Sequence, residues 1–133
     1  IVVRLVGSEM CIRDRKKIEN LQILSEILNK HVDELEKATR YLITQINNGN
    51  LASVSASGTP YLKMFGQVLG GHYMGKAAVF ATNKFKEDND EFYKNKITLS
   101  KYYIEQLLPL SSSYVPSIFL GNENLYSINS NRF

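Results

Sequence analysis

Leu21, Leu28, Leu35 and Leu42 stand seven residues apart, and Leu24, Val32, Thr39 and Ile46 fill the three- and four-residue steps between them. That spacing predicts one long amphipathic helix over Ile18 to Ile46, with its apolar stripe turned to a core. The heptad interval suits a nearly parallel neighbouring helix. Glu26, Lys30, Asp33, Glu34 and Lys37 take the opposite face, and Asn47, Asn48, Gly49 and Asn50 supply the stop.

Leu51 to Thr59 is small and polar and reads as a loop. Thr59 followed by Pro60 fits an N-cap and first helical position, with an earlier start near Ser55 as an alternative. The second helix carries Tyr61, Leu62, Phe65, Val68, Leu69, Ala78, Val79 and Phe85. It also holds Gly66, Gly70, Gly71 and Gly75, each costing up to about 1 kcal/mol in a helix interior. Close approach by a neighbouring helix is the expected offset. Lys86 to Asp90 reads as a charged turn. A third helix from Glu91 carries Phe92, Ile97, Leu99, Tyr103, Leu107 and Leu108, and Pro109 must end or kink it. The pattern through Tyr114, Val115, Ile118 and Phe119 allows helix up to Gly121, with one short turn in the tail around Leu125 to Ile128. The expected fold is all-α: an up-down-up bundle of three long helices, with a kink near Pro109 and a short C-terminal tail.

At 133 residues, 44% hydrophobic and 22% charged, the chain has the makeup of one globular domain or a piece of one. A net charge of +3 permits an anionic partner without arguing for nucleic acid. No apolar run reaches the roughly 18 residues needed to span a bilayer, and the N-terminus lacks the pattern of a secretory signal. Cys11 is the single cysteine, which excludes an intrachain disulfide. A cytoplasmic setting is the expectation.

Residues 1–15 do not read as native protein. Leu5 to Asp14 resembles, residue for residue, one frame of a translated sequencing-library adapter. Processing scars are excluded from fold reasoning, so residues 16–133 are taken as the native domain. On this reading Cys11 is foreign and the natural start of the protein is missing.

The motifs that bear on chemistry are incomplete. Gly70-Gly71-His72-Tyr73-Met74-Gly75-Lys76-Ala77 has the glycine and lysine spacing of a phosphate-binding loop. The preceding segment is helical in pattern, however, and Ala77 replaces the hydroxyl residue that would hold Mg²⁺. His31 and His72 have no partner at a metal-ligand spacing, so packing or surface roles are expected for both. Lys94, Lys96 and Lys101 with Tyr93, Tyr102 and Tyr103 are diluted by Glu87, Asp88, Asp90, Glu91 and Glu105, and read as a solvated face. Ser111, Ser112 and Ser113 lack a nucleophile elbow or an accompanying base. No catalytic, cofactor-binding or metal residue is assigned.

The order of these elements resembles the C-terminal helical domain of the acyl-CoA dehydrogenases, in the branch that includes the 3-methylmercaptopropionyl-CoA dehydrogenases. The matching residues are Tyr61-Leu62, Phe65-Gly66, Gly70-Gly71, Lys76-Ala77-Ala78, Phe92-Tyr93, Lys96, Tyr102-Tyr103, Glu105-Gln106 and Leu108-Pro109. His72-Tyr73 and Ser100-Lys101 depart from the family pattern without breaking the helices. The resemblance implies a parent enzyme that uses FAD to desaturate an acyl-CoA thioester between its α and β carbons. Its carboxylate base, FAD contacts and CoA groove would belong to an upstream core, so Glu91 and Glu105 are not candidates for the base. The fragment alone is expected to bind no FAD and catalyse nothing. Its expected partners are that catalytic core and further subunits, with the glycine face of helix 2 as a packing surface. A freestanding helical bundle acting through protein contacts is the alternative.

Overall fold

The computed structural model describes residues 21–128 and residue 131. The adapter-like stretch 1–15, Cys11, the expected helix start at Ile18 and the terminal Phe133 lie outside the described residues.

Helix α1 spans Gln22–Asn47. Its leucine stripe does what the spacing predicts: Leu21, Leu24, Leu28, Leu35 and Leu42 are all buried, together with Val32 and Ala38. Asn48 closes the helix and Gly49 follows with φ +75°, a left-handed conformation that favours glycine. Thr39 lies on the stripe because its hydroxyl has two partners, the Leu35 carbonyl and the Tyr61 hydroxyl, each at 2.8 Å. Ile46 ends the stripe in solvent.

Helix α2 spans Leu51–Asp88, about 57 Å of continuous helix. The segment expected to be a loop before Thr59 is its first turns, and Pro60 sits inside the helix. The Asn50 side chain accepts from the Ser53 N–H and starts the helix nine residues before the expected Thr59 cap. The small polar residues that suggested a loop are packing residues. Ser53 and Ser57 are buried, and the Ser57 hydroxyl donates to the Ile118 carbonyl at 2.8 Å. A Cβ on Gly121 would strike the Ser53 hydroxyl, so the two backbones meet where only small residues fit. That tertiary fit overrides the local cost of Pro60.

At the far end Asn89 takes a left-handed φ of 51° and bonds the Phe85 carbonyl, while the Asp90 carboxylate accepts from the Phe92 N–H. The charged turn thus shrinks to two capping residues. Helix α3 spans Glu91–Tyr102, followed by a π turn over Tyr103–Leu107, a 3-10 stretch over Leu108–Tyr114 and the short α4 at Val115–Leu120. The disturbance expected at Pro109 begins six residues before it. Pro109 has no N–H and its ring crowds the carbonyl of Glu105, so the turn ahead of it widens. After Leu120 the chain passes through turns, with Glu123 bonded to Leu120 and Leu125 to Asn122.

The whole run from Glu91 to Leu120 travels back along α2. Tyr103 meets Gln67, Leu108 lies against Gly71, and Ile118 against Ser57. The result is the all-helical up-down-up bundle, with α2 in contact with both other limbs. Leu24, Leu28, Met64, Val68, Ile104, Leu108 and Ile118 form its centre.

Two residues expected in that core are outside it, Phe92 at 57% exposure and Leu99 at 50%, and Leu62 on α2 is 68% exposed. Leu62 projects from the face of α2 opposite Met64 and Val68. Phe92 lies where the α2–α3 hairpin overhangs: α1 begins at Gln22, under two turns before Leu28, which is level with Gly71. Among the described residues no third helix reaches that end.

Candidate functional site

The most developed polar cluster lies where the 3-10 stretch crosses α1. His31 falls one helical step from the leucine stripe and is therefore carried inward, to 2% exposure. Its Nδ1 sits 3.2 Å from both the Ser111 and the Ser112 hydroxyl and 3.4 Å from Glu34 Oε2. Ser112 in turn donates to Glu34 Oε2 at 2.5 Å. With that proton committed to Glu34, the Ser112 oxygen is free to accept from His31, which fits the Nδ1–H tautomer. Burial lowers the His31 pKa below the ordinary histidine value, outweighing Glu34, which pulls it up. His31 is neutral at neutral pH, and its contact with Glu34 is polar without being an ion pair.

Serine, histidine and glutamate together invite comparison with a nucleophilic triad. A triad base uses one ring nitrogen for the serine and the other for the carboxylate. Here both hydroxyls and the carboxylate crowd a single nitrogen, and Ser111 has no exposed surface. The arrangement is a latch between α1 and the 3-10 stretch. Sequence reading saw no partner for His31 and no base near the serines. The pairs are 80 and 81 residues apart, and only the fold joins them. The one local signal was Glu34, a helical turn after His31 and on the same face. Ser113 bonds the Leu110 carbonyl instead.

Gly70 to Ala77 lies in the middle of α2, where its amides are engaged within the helix rather than gathered around an anion. This segment therefore does not form a phosphate-binding loop. The glycines do other work. A Cβ on Gly70 would collide with the Tyr103 hydroxyl, which donates to the Gln67 carbonyl at 3.1 Å. A Cβ on Gly71 would press on Leu28 at 3.2 Å and Leu108 at 3.1 Å. These two glycines thus receive side chains from inside the chain, where approach of another helix backbone was expected. His72 is buried beside them and stacks edge-on with Tyr73.

The basic and aromatic residues of α3 do not form one surface. Lys96 lies over the Phe92 ring at 5.4 Å, whereas Tyr103 points inward to Gln67 and its pKa is raised by burial. Glu91 and Glu105 are exposed. Among the described residues no three His, Cys, Asp or Glu side chains gather in a way that would hold a metal. No helix among them is long and apolar enough to cross a membrane.

The family model described as acetyl-CoA dehydrogenase C-terminal like matches residues 8–129. The chain belongs to that family. No curated protein and no solved structure matches the chain.

Proposed function

We propose that this chain is the C-terminal helical domain of a larger, FAD-dependent acyl-CoA dehydrogenase, in the branch resembling the 3-methylmercaptopropionyl-CoA enzymes. The observation that carries the proposal is the family match over residues 8–129. In the parent enzyme a carboxylate of the upstream core removes the α proton of an acyl-CoA thioester and the flavin accepts the β hydride. This domain adds no reacting group. It serves by packing on that core or on another subunit, a role supported by the large apolar residues it leaves exposed on α2 and α3.

The match reaches back to residue 8, into the adapter-like stretch. Source DNA upstream of the codon for Lys16 tests both points. A reading frame running into a flavin-binding core supports the dehydrogenase reading, and a different natural sequence before Lys16 supports the adapter reading. A start codon immediately upstream of Lys16 would overturn the reading in favour of a freestanding bundle. The closed core around Leu28, Met64 and Ile118 is the observation that favours that second reading.

A further inference from the structure

Helix α2 is apolar on two opposite faces, and the fold uses only one. Met64, Val68, Gly71 and Ala78 face the core. On the other side Leu51, Gly58, Leu62, Gly66, Tyr73 and Phe80 recur at multiples of the three- and four-residue steps that keep side chains on one face. Leu51 is 64% exposed, Tyr73 63% and Phe80 60%. The stripe runs about 44 Å, too long and too regular for the scattered apolar residues of an ordinary surface.

Two observations narrow what covers it. Gly58 and Gly66 both lie on this stripe, and nothing comes within 4 Å of where their Cβ atoms would stand. Unlike Gly70 and Gly71, they bring the isolated chain no packing in return for their helix cost. A notch beside a bulky leucine suits the ridge of another helix, which interlocks with it. A fluid lipid surface has no use for such a notch. The second observation is charge. Between Leu51 and Phe85, α2 carries Lys63, Lys76 and Lys84 and no carboxylate; Glu87 and Asp88 stand in its last turn, where Glu87 pairs with Lys84 at 2.8 Å. Two copies meeting on this face would bring like charges together, whereas carboxylates flanking a partner's stripe would complement them.

The geometry points to a docking face on α2, centred on Leu62, Gly66 and Tyr73, for an amphipathic helix whose apolar stripe is flanked by Glu or Asp. This deepens the packing role proposed above. It stands on the surface of this chain, so upstream DNA and the following experiment can fail independently.

The test uses the 133-residue chain and two labelled helical peptides of about 20 residues. Both carry leucine at the a and d heptad positions; one has glutamate and the other lysine at e and g. Fluorescence anisotropy should show the glutamate peptide binding at least about tenfold tighter, with the difference shrinking as salt is raised. Lys63→Glu combined with Lys76→Glu should invert that preference. Leu62→Asp with Phe80→Asp should abolish binding of the glutamate peptide without lowering the melting temperature, because neither side chain supports the core. Equal binding of the two peptides, binding of neither, or binding that survives Leu62→Asp with Phe80→Asp would overturn the proposal. So would capture by phosphatidylserine vesicles with no peptide preference.

Discussion

The Tyr103 hydroxyl reaches the Gln67 carbonyl by passing over Gly70, where α2 has no side chain in its way. A π turn places Tyr103, and a glycine receives it. Gly70→Ala should therefore destabilise the chain by about 1 to 3 kcal/mol as the ring is displaced, despite alanine's better helix propensity. Tyr103→Phe alone should cost about 1 kcal/mol. Because removing the hydroxyl also removes the closest part of the collision, leaving Cζ 2.9 Å from the new methyl group, the double variant should be more stable than the sum of the two losses. Denaturant unfolding of the four proteins measures this coupling, and strict additivity would refute the arrangement.

The His31 latch makes stability depend on pH in a defined direction. Burial holds the folded-state pKa of His31 below the unfolded value, so the unfolded chain takes up a proton first. The contribution is complete above the unfolded value of 6.5 and is lost as pH falls through the folded value. Lys30 and Glu34 on α1 are the charged groups acting on the ring, and the 3-10 stretch presents Ser111 and Ser112. Melting temperature should fall between about pH 7.5 and pH 5. His31→Gln should be less stable at neutral pH and should show a shallower fall. An unchanged slope in that variant would mean other groups govern the pH response.

Ser57→Ala should cost about 1 to 3 kcal/mol, although serine to alanine is a small change on a helix. It leaves the Ile118 carbonyl without its hydroxyl donor in a buried setting. Ser55→Ala, one exposed position away on the same helix, is the control and should shift the melting temperature little or upward.

Gly66→Ala should stabilise the isolated chain by up to about 1 kcal/mol, since the added methyl group meets nothing. If the notch receives a partner helix, the same change should weaken binding of the glutamate-flanked peptide. A loss of stability in the isolated chain would show that Gly66 is constrained from within.

The first helix was legible because one face carries all the information: Leu21 through Leu42 are apolar at helical spacing and the other side is charged. The start of α2 was not. Ser53 and Ser57 are residues a loop would use, and what makes them helical is a contact with Gly121 and Ile118 more than sixty residues later. Periodicity also failed on α3 in a specific way, assigning Phe92 and Leu99 to the core. An apolar residue at helical spacing announces a buried face but does not say in which protein it is buried. The polar cluster at His31 was invisible for a simpler reason: its serines lie on a segment whose path depends on how Pro109 breaks the third limb.

That path also sets an order of events for a chain emerging from the ribosome. Tyr41 stacks on Phe119 and donates to its carbonyl, Ser57 bonds Ile118, and His31 meets Ser111 and Ser112. Each early residue waits for a partner made some sixty to eighty residues later: α1 and α2 can pack on each other first, but these contacts form only once residues 111–119 have been synthesised. A stalled or clipped product ending near Pro109 would keep both long helices and the first part of the third limb, and would lose the dozen residues before Gly121 that carry the partners of His31, Tyr41 and Ser57.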